Sequence, residues 1–405
     1  MKETRKLRVG LLRAPQIEYV VDGTTHAVGV QDVKDATLRV PAGADGTVTI
    51  RNVIIGIGFH WERHENQTFM GDMEFSLEDG AVRVVNIIDI EDYLLSVISS
   101  EMSAKATEEF LKAHAVISRS WVVARIVAQA AEDLPAGIDE VDAQGERTII
   151  RWYGTEAHRG FDVCADDHCQ RYQGIRRARE NAANWGKVKR VIAATRGEVL
   201  TFEGKVCDAR FSKCCGGVME RFSACWEDVD FPYLQVKPDS IGDSGVFCNT
   251  SDSDVLSQVM NNYDLETHDF FRWRAQYRPT ELSALVARKS GIDLGTIRQL
   301  VPLERGGSGR IIRLRIEGDK GIVTVGKELE IRRWLSESHL YSSAFEVKRE
   351  GDLFVLEGRG WGHGVGLCQI GAAAMGAKGY SYTEILQHYY PTSTLSQIHE
   401  ILERT

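Results

Sequence analysis

Long apolar runs are missing from this 405-residue chain. Nowhere do about 18 consecutive apolar residues occur, the length a membrane-spanning helix needs. The opening, MKETRKLRVGLLRAPQIEYVV, is basic, but its apolar run is too short and too interrupted for a signal peptide. The sequence therefore reads as a mature chain, a cytoplasmic one, or one exported by another route. Cysteine is scarce: eight residues are too few to scaffold a fold of this length through disulfides. An excess of basic charge is lacking too. Lys and Arg number 49 against 58 Asp and Glu, a net charge of −9, which argues against nucleic acid as the main partner. There is no internal repeat and no low-complexity tract. No Walker lysine accompanies the glycines near residue 360, and they fit no G-x-G-x-x-G register, so a phosphate loop is disfavoured.

What is present is ordinary for a globular protein: 43% hydrophobic and 26% charged residues, on a length suited to about two or three domains. Residues 6–87 alternate apolar and polar side chains or run β-branched between Gly, Asp and Asn turns, and predict strands. From Ile90 the period changes. EDYLLSVISS and TEEFLKAHAVISRSWVVARIVAQAAED carry apolar residues at helical spacing, with Thr107 as N-cap and Glu108 and Glu109 in the first turn. RRARENAANWGKVKRVIAATRG predicts a helix ending at Gly197, and EVLTFEGKVCDARF a hairpin turning at Glu203-Gly204. Residues 251–340 change texture, with helical pieces flanking strands. The chain thus reads as α+β, a mixed β-rich core with a few helices. Its expected parts are an N-terminal β-rich segment (1–85), a core (86–250 with 341–405) and a smaller inserted α+β module (251–340).

Three patterns carry chemistry. Glu101 lies between two amphipathic helices among Val97, Ile98 and Met102, and a carboxyl group in apolar surroundings tends to keep its proton, as a general acid requires. HRGFDVCADDHCQRYQG places His158, Cys164, His168 and Cys169 within twelve residues, a donor set that suits zinc; a Cys164–Cys169 disulfide or free thiols are the alternatives. Cys207, Cys214, Cys215 and Cys225 form a second group that an oxidising site would pair. In GRGWGHGVG, glycines stand at every second position from Gly358 to Gly366. Read as a strand, this leaves one bare face and one bearing Arg359, Trp361, His363 and Val365. Either another part of the chain packs on the bare face, or a ligand lies over it. A nucleophile at Cys215 or Cys368 with His363 as base is a further reading. The basic run from Arg171 to Arg190 is a solvated helix face or a contact for an anionic polymer.

Together IEDYLLSVISSEMSAKATEEFLKAHAVISRSWVVAR, TRGEVLTFEGKVCDARFSKCCGGVMER with FPYLQVKPD, and LEGRGWGHGVGLCQIGA with GYSYTEILQHYYPTSTL resemble the blocks of the SpoIID/LytB family. That resemblance implies a lytic transglycosylase that cleaves peptidoglycan glycan strands, acts outside the cytoplasm and partners a cell-wall amidase. The glutamate of the family's E-M-P triplet falls on Glu101 as catalytic acid. Zinc, structural or cleft-shaping, falls on His158, Cys164, His168 and Cys169. Lys112, Arg119, Trp361, His363 and Gln369 are the expected substrate contacts. Ser103 stands where the family has proline. The rival readings are a non-enzymatic wall-binding activator of an amidase and a Cys/His amide hydrolase.

Overall fold

The computed structural model describes residues 6–55, 63–103, 105–128, 137–153, 158, 160–165, 169–260 and 269–399. They form a mixed α+β structure of several separate sheets with interspersed helices. Two compact units result: Met1–Glu132 with Thr155–Asp208 and Thr394–Thr405, and Asp133–Gly154 with Ala209–Ser393. Backbone ladders tie distant stretches of the second unit together: Leu353–Arg359 pairs with Arg272–Tyr277, and Arg147–Arg151 runs parallel to Gly321–Gly326.

In the first unit a five-stranded sheet runs in the order Val163–Cys164, Leu7–Ala14, Ala81–Ile88, Asp72–Glu78, Leu38–Val40. A four-stranded antiparallel sheet holds Thr24–Gly29, Gln16–Val21, Thr47–Ile55 and Arg63–Met70. The longer helices of this unit are α1 (Ile90–Glu101), α2 (Glu108–Ala128) and α3 (Ala182–Ala194). Thr107 accepts the Phe110 amide at 3.3 Å, the cap its position predicts. Helix α2 buries Ala113, Val116, Ile117 and Trp121, and also His114, Ser118, Arg119 and Ser120, so it is sunk on nearly all sides. Such burial requires partners for the polar groups. Ser120 Oγ supplies one, donating to Val116 O and accepting from the Leu200 amide. The Glu203-Gly204 hairpin forms as expected, both residues left-handed, with Thr201 opposite Val206.

The second unit has a five-stranded sheet (Ile297–Arg305, Ile311–Gly318, Gly321–Gly326, Arg147–Arg151, Gly137–Val141) and a three-stranded one (Arg272–Tyr277, Leu353–Arg359, Phe345–Glu350). Trp273, Leu282, Leu314, Ile316, Trp334 and Phe354 belong to their shared core.

Candidate active site and metal centre

Asp92 and Glu91 open α1, where the helix dipole favours negative charge. Tyr93, Leu94, Val97 and Ile98 sink into the core. The helix stops because Met102 turns extended (φ −120°, ψ 152°), its amide still reaching Ile98 O. Ser103, in place of proline, holds the turn through its hydroxyl, which accepts the Lys105 amide at 3.2 Å, and its carbonyl, which accepts the Ala106 amide at 3.1 Å. Glu101, last residue of α1, is therefore fixed by helix and turn together, and it is only 7% exposed.

Its Oε1 accepts the backbone amide of Arg171 at 3.1 Å. One step along, the Gln173 amide donates to Ser100 Oγ at 3.0 Å. Between them Tyr172 stacks on Tyr93 and Phe69, with ring centroids 5.0 and 5.3 Å apart, and its hydroxyl donates to Asn86. Residues 171–173 are thereby stitched to the end of α1. Burial first, then Cys169, Tyr172, Cys164 and Glu101, push the Tyr93 phenol well above its ordinary range. Beside this segment a cavity of about 440 Å³ is lined by Asn52, His64, Glu65, Gln173, Arg176 and Arg177 among others; Glu101 is not part of its lining.

The segment that reaches Glu101 begins at the cysteine loop. Cys164 sits on a two-residue strand parallel to Leu7–Ala14, opposite Gly10. Cys169 Sγ lies 3.6 Å from His158 Nε2 and accepts the Cys164 amide at 3.5 Å. One ligand atom from each of His158, Cys164 and Cys169 falls within 4.8 Å of the others. Two sulfurs and an imidazole nitrogen at that spacing fit zinc, whose tetrahedral bonds of about 2.0–2.3 Å place ligand atoms about 3.5–3.8 Å apart. His168, the fourth expected ligand, lies outside the described residues.

The basic candidates nearby are already engaged. Arg119, 1% exposed, forks onto both oxygens of Glu91 at 2.9 and 2.8 Å and donates to Glu198 O at 2.9 Å. Lys112 pairs with Glu109, one turn back, at 2.5 Å. Arg119 thus clamps α1 to α2 and to the strand Glu198–Phe202, an ion pair that its sequence position did not reveal.

Trp361, His363 and Gln369 belong to the second unit. The glycine stretch is not the strand its period predicts. The strand ends at Arg359, and Gly360, Gly362, Gly364 and Gly366 all take positive φ, between 70° and 95°. The reason is close approach. A Cβ on Gly366 would lie 2.0 Å from Arg210 O, and one on Gly364 2.4 Å from the Arg310 guanidinium carbon. The loop is seamed to its own unit: Trp361 and Cys214 exchange both backbone hydrogen bonds, at 2.7 and 3.0 Å, and the Glu220 amide reaches Gly364 O at 2.9 Å. Arg310, fully buried, donates to Gly362 O, Cys215 O and Ser308 Oγ, and Ser308 in turn donates to the buried Glu220 carboxylate. Of the two uses foreseen for the bare glycines, close packing against the chain is the one observed.

Trp361 packs edge-on against Tyr341 at 5.4 Å. His363 meets Trp226 at 4.9 Å, and its Nδ1 accepts the Val365 amide at 3.0 Å. Burial, then Arg210, Arg310 and Arg332, hold this imidazole well below its ordinary range. Gln369 starts a helix, Gln369–Ala377, and is 2% exposed. Cys207 and Cys225 take no part in the thiol grouping expected of them. Cys214 and Cys215 instead meet Cys248 and Cys368.

The family model described as Stage II sporulation protein matches residues 78–202, the span that carries α1, Glu101, α2 and the cysteine loop. Stage II sporulation protein D of Bacillus amyloliquefaciens is 26% identical over 322 residues, 79% of this chain and 78% of that protein. Its counterpart in Bacillus subtilis is 24% identical over 330 residues, with the same shares. Residues 78–202 thus carry the likeness to the SpoIID family. An amidase enhancer of Bacillus subtilis is 24% identical over 51% of this chain and 32% of its own length. A second model, a domain of unknown function (DUF8618), matches residues 220–366, inside the second unit.

Several important residues escaped sequence reasoning. The Arg171 amide has no side-chain signature. Arg310 stands in GGSGR, where only the crowding of glycines hints at a close approach. Asp239 and Cys248 lie far from the cysteines they join.

Proposed function

We propose that the protein is a lytic transglycosylase acting on peptidoglycan outside the cytoplasm, with Glu101 as its general acid and base. The observation that carries this reading is the setting of Glu101: a buried carboxyl group at a helix end, held by the Arg171 amide on a segment continuous with the His/Cys set. Cleavage between N-acetylmuramic acid and N-acetylglucosamine begins when protonated Glu101 gives its proton to the glycosidic oxygen. The anomeric C–O bond then breaks, leaving an oxocarbenium-like centre on the muramic acid. Ordinary glycosidases employ a second carboxylate at this stage. Here the muramic acid's own 6-hydroxyl attacks and Glu101 takes back the proton, so one carboxylate suffices and a 1,6-anhydro ring forms. The polar cavity lined in part by Gln173 supports a hydrophilic ligand beside this segment.

His158, Cys164 and Cys169, with His168 as fourth ligand, would hold zinc, which supplies rigidity to the loop that delivers the Arg171 amide. Four protein ligands leave no open position for substrate. Trp361 and His363 remain proposed glycan contacts.

Incubating the protein with purified glycan strands and analysing the products by mass spectrometry tests the reading. Anhydro-muramyl ends are expected from the wild type, and Glu101→Gln should lower their rate by about 10²–10⁴-fold while circular dichroism is unchanged. A second reading, favoured by the likeness to an amidase enhancer, is a non-enzymatic activator of a cell-wall amidase. It predicts no anhydro ends from the wild type, but faster amidase turnover, equally with Glu101→Gln.

A further inference from the structure

The second unit contains a group of side chains that the proposed chemistry does not use. Cys215 lies before a Gly-Gly turn, Asp239 after Pro238, Cys248 on the following loop, and Cys368 just ahead of the helix Gln369–Ala377. The fold gathers them from four stretches, and none is more than 2% exposed. One ligand atom from each falls within 4.8 Å of all the others. Cys215 Sγ and Cys248 Sγ are 3.6 Å apart.

We infer that Cys215, Asp239, Cys248 and Cys368 form a second, buried metal site for one divalent ion of zinc-like preference. The spacing is the first reason. Tetrahedral zinc with Zn–S bonds of about 2.3 Å sets its sulfurs about 3.8 Å apart. An iron–sulfur cube needs room for four irons and four sulfides between its thiolates, and these ligand atoms leave none. Three soft sulfurs with one carboxylate also disfavour calcium and magnesium, which take oxygen ligands.

The surroundings are the second reason, because the donors around the group point at atoms that must carry negative charge to bind a metal. The Cys215 amide donates to Cys368 Sγ at 3.2 Å. The Cys248 amide and the Tyr389 hydroxyl donate to the two oxygens of Asp239 at 3.0 and 2.8 Å. Such second contacts fix the orientation of metal ligands. Without an ion, Asp239 is a fully buried carboxylate whose nearest basic group is His388, with Nε2 3.6 Å from Oδ1. A buried carboxylate is costly unless its charge is balanced, and a divalent cation bound among three thiolates balances it. Arg272, donating to Gly216 O at 3.1 Å, and Arg310, donating to Cys215 O at 3.3 Å, add positive charge next to Cys215.

The site differs from the His158 set in place and in donors, so it is separable by mutation. In a Cys164→Ser/Cys169→Ser background, zinc retained through gel filtration and measured by plasma mass spectrometry should stand near one equivalent. Cobalt(II) added to the metal-stripped background protein should give thiolate-to-cobalt charge-transfer absorption and tetrahedral d–d bands. Adding Cys248→Ser or Cys368→Ser to that background should remove the bound zinc, whereas Cys225→Ser should keep it. The cobalt measurement needs no core substitution, so misfolding of a variant leaves the inference testable. A background protein that binds neither zinc nor cobalt overturns it. So does peptide mapping that finds Cys215 and Cys248 joined as a disulfide in protein prepared with reductant. Neither readout depends on glycan cleavage, so the site and the enzymatic proposal stand or fall separately.

Discussion

Arg119 in the first unit and Arg310 in the second are both buried arginines, and they are balanced in opposite ways. Arg119 meets a carboxylate directly, its Nε and Nη2 donating to the two oxygens of Glu91. Arg310 meets carbonyl oxygens and a hydroxyl, with its balancing charge, Glu220, one hydrogen bond further away through Ser308. The first arrangement clamps rigid helices, which place a side chain such as Glu91 at a set distance. The second cradles a loop whose own carbonyls are the ligands, which demands that the chain come close and therefore that side chains be absent. The difference teaches that the glycines near residue 360 are the counterpart of the helical geometry around residue 119: each is what its arginine requires.

Breaking the direct pair should have the largest effect. Arg119→Met leaves Glu91 without its partner inside the first unit and is expected to cost about 3–5 kcal/mol in urea unfolding. The double substitution Arg119→Met/Glu91→Leu should recover a good part of that loss, because no charge is then stranded. Complete additivity of the two single losses would show that the clamp is not an ion pair.

Next comes the cradle. Gly364→Ala puts a methyl group against the Arg310 guanidinium at a φ of +74°, and a loss of about 1–3 kcal/mol is expected from the backbone alone. Gly379→Ala, also at positive φ but with nothing within 4 Å, should cost less. Equal losses at the two positions would mean that close approach to Arg310 plays no part.

The smallest effect concerns pH. His363 sits among the arginines of the cradle and its folded-state affinity for protons is lowered. Between its unfolded and folded pKa values the unfolded chain therefore binds the extra proton. Stability is full above the unfolded value of about 6.5 and is lost as pH falls through it. Urea midpoints taken at about pH 7.5 and about pH 5.5 should differ less in His363→Gln than in the wild type. An identical pH dependence in both proteins would remove His363 from the account.

Features set by neighbours in the sequence were legible, and those set by distant contacts were not. The stripe of α2, the Thr107 cap and the Glu203-Gly204 turn follow from rules that act within a few residues. So does the position of Glu101 at a helix end. The glycine stretch misled because a period of two is shared by a strand and by a loop of alternating handedness. What decides between them is the presence of Arg210 O, Arg310 and Cys214, more than a hundred positions upstream in two cases and about fifty in the third. Arg119 was legible as a residue on an amphipathic helix, but its partner Glu91 belongs to another helix, so its role was not. The cysteines were countable, yet the grouping that included Cys207 and Cys225 failed because nearness along the chain is a poor guide to nearness in a β-rich fold.

The strand Thr394–Gln397 hydrogen-bonds to Glu198–Phe202, closing a three-stranded sheet of the first unit with residues that follow the whole second unit along the chain. A ribosome therefore completes the whole second unit before the first can finish its own sheet. Domains tend to fold as units during synthesis, so the later-starting half of this polypeptide is free to reach its native state while the earlier half still waits for its final edge.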